Sequence, residues 1–331
     1  MANRDRNKET ATRVGGGDSS FIPHSLSFSP WPHRIALTTA CATVPLLFIG
    51  GLVTSKGAGL AVPDWPTSFG YNMFLYPWSK MVGNIFYEHS HRLFASAVGL
   101  LTIVLAIIFW FKEDRPWVRW LGFGALGLVI AQGIVGGLRV VLLENTLAML
   151  HASLAQAFFG LTVILAILTS AEWRHSSEKQ RLHDGRRLCR LCAVLSGLLY
   201  LQALLGAIVR HTGERFEFHF AVAAMIAVLT VCVMSQIQRW APREAKLTFP
   251  ARLLGGLLLL QLMLGIGSYI TKFTTILPSP AAQVVLITTT HLLIGAVMLA
   301  ASLFLTLRCF RLSARAKNFA GANSLQEQYS A

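Results

Sequence analysis

The chain has 331 residues, of which 54% are apolar and only 13% are charged. Soluble domains have about 25% charged residues, so this composition excludes an ordinary soluble domain and an intrinsically disordered chain. The formal net charge of +14 would suggest nucleic-acid binding in a soluble protein. Here the basic residues flank long apolar segments, and we expect no nucleic-acid partner.

Eight apolar segments follow one another along the chain, and each reaches the roughly 18 residues that a membrane-spanning helix requires. No Lys, Arg, Asp or Glu interrupts any of them near its middle. The sequence predicts helices over residues 33–54, 86–111, 118–141, 146–170, 189–211, 215–238, 250–272 and 283–309. The predicted fold class is therefore an all-α polytopic membrane protein with eight transmembrane helices.

Lys and Arg are distributed unequally between the two ends of these helices. Most lie in the N-terminal tail, in the loops after the second, fourth and sixth helices, and in the C-terminal tail. The other end carries only Lys56, Lys80, Arg92, Arg139, Arg210, Arg215 and Lys272. By the positive-inside rule, we expect both termini on the inner side, where the excess basic charge is suited to contact anionic membrane lipid.

The fifth to eighth predicted helices repeat features of the first to fourth. Glycine-rich segments close the first helix (50–57) and the fifth (206–213). The other matching positions are His91 with His219, Gln132 with Gln261, Gly136-Gly137 with Gly265 and Gly267, and His151 with His291. Each half has an even number of spans, so the halves face the same way, unlike the inverted repeats of many transporters. We therefore predict two tandem four-helix bundles.

This repeat sets the predicted domain organisation. The first 30 residues are polar and lack the apolar region of a signal peptide. The parts are a disordered N-terminal tail (1–32), an N-terminal four-helix unit (33–170), an inner linker (171–188), a C-terminal four-helix unit (189–309) and a C-terminal tail (310–331).

Four histidines lie near the outer start of the even-numbered helices: His91, His151, His219 and His291. Ionisable side chains inside a membrane usually face a bundle interior or a functional site. Two facing helices in each unit thus offer one imidazole each, which suits a haem with axial histidine ligands. The glycine pairs of the third and seventh helices would leave room for its flat macrocycle. The alternatives are hydrogen-bonded packing histidines and, less favoured, zinc, which requires three or four clustered ligands.

The two halves differ beside the first histidine. Glu88 precedes His91 by three residues on the same helix face, and Phe216 occupies its place in the second half. Arg92 follows His91, whereas Phe220 follows His219. A carboxylate beside a buried cofactor can move a proton or stabilise developing charge. We therefore expect the first half to perform chemistry and the second to carry electrons, unless Glu88 is only an interfacial partner of Arg92.

The cations of the outer side are candidate partners for the anionic haem propionates. These candidates are Arg92, Arg139, Arg210, Arg215 and Lys272. Interfacial snorkelling of the same side chains is the alternative.

The sequence resembles that of the haem A synthase family over nearly all of residues 33–309. Glu88-His89-Ser90-His91-Arg92 fits the family's Glu-x-x-His-Arg motif. Residues 50–59, followed by Asp64-Trp65-Pro66, fit its first helix end and outer loop. One departure is that the cysteine pair of many members is replaced here by Ala61 and Ser68, so no thiol role of that pair applies.

The resemblance implies an oxidoreductase that oxidises the C8 methyl of haem O to a formyl, through successive hydroxylations, to make haem A for terminal oxidases. It implies a haem B cofactor on His219 and His291, substrate haem O on His91 and His151, and Glu88 as the essential acid. Implied partners are haem O synthase and an electron donor that the sequence does not identify.

One further hypothesis for the function stays open from the residues themselves. A non-catalytic di-haem b-type cytochrome, which passes electrons to or from quinone, explains the four histidines equally well but not Glu88.

The N-terminus lacks a clear Arg- and Ser-rich amphipathic helix, which favours a bacterial plasma membrane over a mitochondrial inner membrane.

Overall fold

A computed structural model describes residues 29–175, 185–242 and 244–329, with side chains described as far as Ser313, apart from that of His175. Almost all of the predicted N-terminal tail and the middle of the predicted inner linker lie outside these residues. The side chains of the predicted C-terminal tail beyond Ser313 do so too.

The described residues form helices joined by short loops, with one long loop (56–82) between the first two helices. Eight of the helices are long and apolar enough to cross a membrane, which confirms the predicted polytopic membrane fold. These eight are α1 (Trp31–Ser55), α2 (Gly83–Lys112), α3 (Pro116–Leu142), α4 (Asn145–Thr169), α6 (Gly185–Thr212), α7 (Phe216–Trp240), α8 (Ala245–Phe273) and α9 (Ala281–Tyr329). A short helix, α5 (Ala171–His175), follows α4.

The structure extends three of the predicted helices by at least four residues at one end. α6 begins at Gly185 instead of residue 189, inside the predicted linker. α8 begins at Ala245 instead of residue 250, because the Glu244 carboxylate accepts a hydrogen bond from the Lys246 N–H and so caps the first turn. α9 continues beyond residue 309, so the predicted boundary of the C-terminal tail does not coincide with a helix end.

The helices pack as two rings of four. In one ring, α1 contacts α2 and α4, and α3 contacts α2 and α4; we call α1–α4 the first unit. In the other, α6 contacts α7 and α9, and α8 contacts α7 and α9; we call α6–α9 the second unit. The units meet where α1 and α4 contact α9 and where α4 contacts α6.

Each unit has its own apolar core, and a third small core joins the two. Phe109 and Leu165 are fully buried in the first unit, and Leu195 is fully buried in the second. Leu47 and Phe159 pack with Ala296 of α9 across the junction of the units. Large apolar side chains also cover the outside of the helices, which is stable where lipid and not water surrounds them.

Carboxylates at the end of the bundle opposite the long loop pair with arginines. Glu113, whose side chain is fully buried between α2 and α3, bonds to Arg115 at 2.7 Å and to Arg174. Glu172 of α5 pairs with Arg308 of α9. These ion pairs hold α5 against the α2–α3 loop and against α9, and so connect the first unit to the second through α5.

Candidate functional site

The four predicted histidines form two pairs of nearly identical geometry. In the first unit the ring centres of His91 and His151 lie 6.4 Å apart, with the rings at 81°. In the second unit His219 and His291 lie 6.5 Å apart, with the rings at 70°. All four rings are partly buried. The repeat seen in the sequence therefore places two equivalent imidazole pairs inside two equivalent bundles.

The separation of the rings fits one metal ion held between two imidazoles. Two metal–nitrogen bonds of about 2 Å and two nitrogen-to-centre distances of about 1.1 Å place such ring centres about 6.2 Å apart. Among the described residues, no group of three or more His, Cys, Asp or Glu side chains could hold a metal ion. Each pair thus presents two imidazoles, the number of histidines that can ligate one haem iron.

Each histidine ring lies against a glycine of the preceding helix. These contacts are Gly50 with His91, Gly136 with His151, Gly206 with His219, and Gly265 with His291. The closest is at Gly136, where an added Cβ would lie 2.7 Å from the His151 Cε1 atom. Gly136 and Gly265 therefore accommodate imidazoles, and Gly265 also lines the cavity of the second unit described below.

Several ring nitrogens of these histidines have no hydrogen-bond partner among the described residues. Among the described residues, the buried Nδ1 atoms of His91, His219 and His291 have no hydrogen-bond partner. His151 differs, because its Nδ1 lies 3.1 Å from the Gln132 carbonyl oxygen; only a protonated Nδ1 can donate there, which leaves the lone pair on Nε2, 3.4 Å from the Gln132 amide nitrogen. An unpaired buried polar group costs about 1–3 kcal/mol. His91 is thus poorly explained as a hydrogen-bonded packing residue, whereas the rings of His151 and His219 each have a glutamine amide beside their Nε2 atom.

A cavity of about 260 Å³ lies between the histidines of the second unit. Its lining is mostly apolar and includes both histidines and the aromatic rings of Phe216 and Tyr269. Gln202 also lines it, and its amide Nε2 lies 3.2 Å from the His219 Nε2 atom. An apolar cavity with a few polar groups is typical of a cofactor site, and the residues present fit a haem.

In the first unit, Glu88 and Arg92 fasten the long loop to α2. The Glu88 carboxylate is 3% exposed and accepts hydrogen bonds from the Val62 N–H and from Arg92, both at 2.9 Å. Arg92 also donates to the carbonyl oxygens of Val62 at 2.8 Å, Asp64 at 2.7 Å and Thr67 at 3.1 Å. Two residues of the Glu-x-x-His-Arg motif therefore bind the loop next to His91.

The loop makes further contacts with the first unit. The Ser68 hydroxyl lies 3.1 Å from the Nδ1 atom of His89, and both residues are buried. The Trp65 ring lies against Gly137 of α3, next to the glycine that contacts His151. Arg139 donates to the Gly59 carbonyl oxygen at 3.2 Å. The loop thus covers the outer end of the unit that contains His91 and His151.

Asp64 stabilises the turn at the centre of this loop. Burial alone would raise its pKa, but hydrogen bonds from the Gly70 N–H, the Thr67 hydroxyl and the Phe69 N–H lower its pKa to about 2. Asp64 is therefore ionised at physiological pH and accepts all three hydrogen bonds.

The predicted propionate partners do not form one group. Arg210 and Lys272 line the cavity of the second unit, and the Lys272 Nζ atom lies 3.5 Å from the Arg210 carbonyl oxygen. Arg92 and Arg139 donate to the long loop of the first unit. Arg215 is exposed and does not line the cavity.

Comparison with known proteins defines the family. The model of a family described as Cytochrome oxidase assembly protein (COX15-CtaA) matches residues 33–219, more than half of the chain. The chain belongs to this family. The match covers all of the first unit and reaches His219 of α7, so it includes the loop, the Glu-x-x-His-Arg motif and three of the four histidines.

Individual relatives of the family carry the name Heme A synthase. That of Shouchella clausii is 30% identical over 186 residues, which cover 54% of this chain and 59% of the relative. That of Alkalihalophilus pseudofirmus is 28% identical over 183 residues, with the same coverage of both chains. That of Cereibacter sphaeroides is 32% identical over 134 residues, or 37% of this chain and 34% of the relative. These matches span well under two thirds of each relative.

Substitution of Gly136 by Ala is expected to weaken haem binding in the first unit at least about fivefold, because the new Cβ would displace the His151 ring. Overpacking of this kind costs about 1–3 kcal/mol, and each 1.4 kcal/mol is tenfold in affinity. Gly206→Ala is the matched control, because its Cβ would lie 3.4 Å from His219, an ordinary contact distance. Hemin titration measures the effect of each substitution. Gly136→Ala is combined with His219→Ala, so that only the first unit binds hemin, and Gly206→Ala is combined with His91→Ala, so that only the second unit does. Equal losses at the two sites would contradict the prediction.

Several residues of the site were not predicted as such from the sequence. His89 points away from His91, as expected for residues two apart on a helix, but it binds Ser68 of the loop. Gln202 lies beside His219, and Val62 pairs with Glu88 through its backbone. A signal for the loop contacts was present: the half of the chain with the longer outer loop is also the half with Glu88 and Arg92.

Proposed function

We propose that this chain is a haem A synthase, which oxidises the C8 methyl of haem O to a formyl and so makes haem A for terminal oxidases. The observation that carries the proposal is a difference between two histidine pairs of nearly equal geometry. Within the part of the chain that the structure describes, only the first has a buried carboxylate–guanidinium pair beside it and a long loop over it. Family membership and the names of the relatives support the same reaction. The proposed location is the plasma membrane of a bacterium, with both termini inside.

We assign the resident cofactor, haem B, to the second unit, where His219 and His291 would hold its iron. Bound there, haem B supplies reversible one-electron chemistry. Arg210 and Lys272 line the same cavity and would neutralise the propionates, while the apolar lining excludes water.

We assign the substrate haem O to the first unit, between His91 and His151. The Glu-x-x-His-Arg motif then has two tasks. His91 orients the substrate, and the Glu88–Arg92 pair closes the long loop over it. Glu88 also places a carboxylate one helical turn from His91, where it can hold or move a proton as the methyl group is oxidised. Haem O synthase and an electron donor are the proposed partners.

A di-haem b-type cytochrome is the second candidate, because the two histidine pairs differ by only 0.1 Å in separation. It leaves the loop and its anchors without a function. A pure electron carrier has no need to cover one of its two haems differently from the other.

The deciding experiment is expression in a host that makes haem O but no haem A, followed by extraction of the haems and identification by mass. Haem A is expected only when this chain is present. Two molecules of haem B per chain, with haem O unchanged, would establish the di-haem cytochrome instead.

A further inference from the structure

Arg210 lies where the two units meet. It is the fourth residue after Gly206, which contacts His219, and it is partly buried near the end of α6. Its Nη2 atom donates to the Gly51 carbonyl oxygen at 2.7 Å and to the Ser55 hydroxyl at 2.6 Å, both in α1 of the first unit. A residue of the second unit thus holds the end of a helix of the first.

A small polar cluster surrounds this contact. The Ser55 hydroxyl lies 3.1 Å from the Thr288 hydroxyl and 3.0 Å from the Thr289 hydroxyl, both in α9. Arg210 Nη1 lies 3.4 Å from the Thr288 carbonyl oxygen. We call these residues the inter-unit cluster: Gly51, Ser55, Arg210, Thr288 and Thr289.

The inter-unit cluster adjoins elements of both histidine pairs. In α1, the residue before Gly51 is Gly50, whose added Cβ would lie 3.0 Å from the His91 ring. In α9, His291 follows Thr289 by two residues. The hydrogen bonds of Arg210 therefore fix a helix that supports His91, and they do so beside His291.

The charge of Arg210 has no carboxylate partner among the residues that the structure describes. A partly buried cation without a counter-ion is costly, yet Arg210 also lines the cavity of the second unit. A guanidinium has five N–H donors, and the contacts to Gly51, Ser55 and Thr288 use three of them. Two donors remain for an anionic group in the cavity, such as a carboxylate of haem.

We propose that Arg210 is a positioning residue for both haem sites: it binds a haem carboxylate in the second unit and fixes the end of α1, and with it His91, in the first. The inference rests on the proposed function for the nature of the ligands. It predicts that loss of one side chain from the second unit alters both sites.

The test uses hemin and two single-site proteins. His219→Ala leaves the first unit to bind hemin, and His91→Ala leaves the second. In the first background, Arg210→Met is expected to weaken hemin binding about tenfold and to shift the low-spin electron paramagnetic resonance signal, because α1 is no longer fixed. In the His91→Ala protein, Arg210→Met is expected to lower the midpoint potential of the haem bound in the second unit, because a nearby positive charge favours the reduced form.

Two further variants complete the test. Ser55→Ala removes one acceptor outside the cavity and is expected to weaken binding in the first unit several-fold; it decides the question if Arg210→Met does not assemble. Thr212→Ala is the matched control, because its hydroxyl bonds only within α6 and to the following turn, and no change is expected in either unit.

The outcomes separate this inference from the proposed function. If hemin binding in the first unit is unchanged in both Arg210→Met and Ser55→Ala, the inference is overturned, and Arg210 acts only in the second unit. An unchanged midpoint potential in Arg210→Met would overturn it as well, leaving only a packing role between the units. Normal hemin binding with these effects, but without conversion of haem O, would refute the haem A synthase proposal and not this one.

Discussion

His219→Ala is expected to remove haem B from the second unit while the chain stays folded in the membrane. In the proposed site this imidazole is one of the two that would hold the iron, and its loss would leave His291 alone to do so. We expect hemin affinity in the second unit to fall at least 100-fold, which corresponds to about 3 kcal/mol. The measurement is the haem content of purified protein, with the low-spin absorption spectrum as a second readout.

His211→Ala is the matched control for this prediction. His211 lies in the same unit, at the end of α6, but it does not line the cavity. The control should keep its full haem content. Retention of haem B in both variants would show that the cofactor is bound elsewhere.

Much of the fold and the histidine pairs could be predicted because their signals are local or periodic. A span needs only an uninterrupted apolar run, and all eight were found. The pairing of His91 with His151, and of His219 with His291, followed from a repeat with an even number of spans in each half. A repeated sequence must place equivalent residues at equivalent positions, whatever the details of packing.

The contacts of the charged residues could not be predicted in the same way. Arg92 and Arg210 bind mainly backbone carbonyl oxygens, which every residue possesses, so the sequence does not indicate which carbonyl is the partner. The glycines illustrate the same limit. Their small size was visible in the sequence, but only the structure shows that Gly136 faces an imidazole.

The boundaries were predicted less well than the spans because polar residues can continue a helix beyond its apolar part. α6 and α8 both begin several residues before their apolar runs, and the capping carboxylate of Glu244 accounts for the second case. Hydropathy reports where lipid surrounds a helix, whereas hydrogen bonds decide where the helix ends.

The two units differ in what surrounds their histidine pairs. The second presents a mostly apolar cavity that Arg210 and Lys272 help to line, an arrangement that suits the resident cofactor we propose there. The first is covered by a loop whose backbone is bound by Glu88, Arg92 and Arg139. A covered site with breakable polar contacts can admit and release a ligand, as a substrate site must.

Glu88→Gln is expected to reduce conversion of haem O to haem A at least 100-fold while the protein keeps its haem-binding capacity. Loss of one electrostatic or acid–base group from a catalytic site costs about 10²–10⁴ in rate. Gln retains an oxygen that accepts from the Val62 N–H, so the loop should stay attached, but it has no negative charge and cannot carry a proton. Haem A formed per unit of membrane protein is the measurement.

Protection of the loop separates the catalytic role of Glu88 from its role as an anchor. In Glu88→Gln, protease cleavage within residues 56–82 should stay as slow as in the unaltered protein. In Arg92→Gln it should accelerate, because Arg92 supplies the three hydrogen bonds to Val62, Asp64 and Thr67. Glu217→Gln is the matched control, an exposed carboxylate in the first turn of α7, and should change neither measurement.

The result for Glu88→Gln decides between two mechanisms with the same residues. If conversion continues at the normal rate and the loop stays protected, the carboxylate serves only to hold Val62, since the amide performs that task equally well. The chemistry of the first unit would then depend on the histidines and on the exclusion of water by the loop. If conversion stops while the loop stays protected, the negative charge or the proton of Glu88 is required for the oxidation itself.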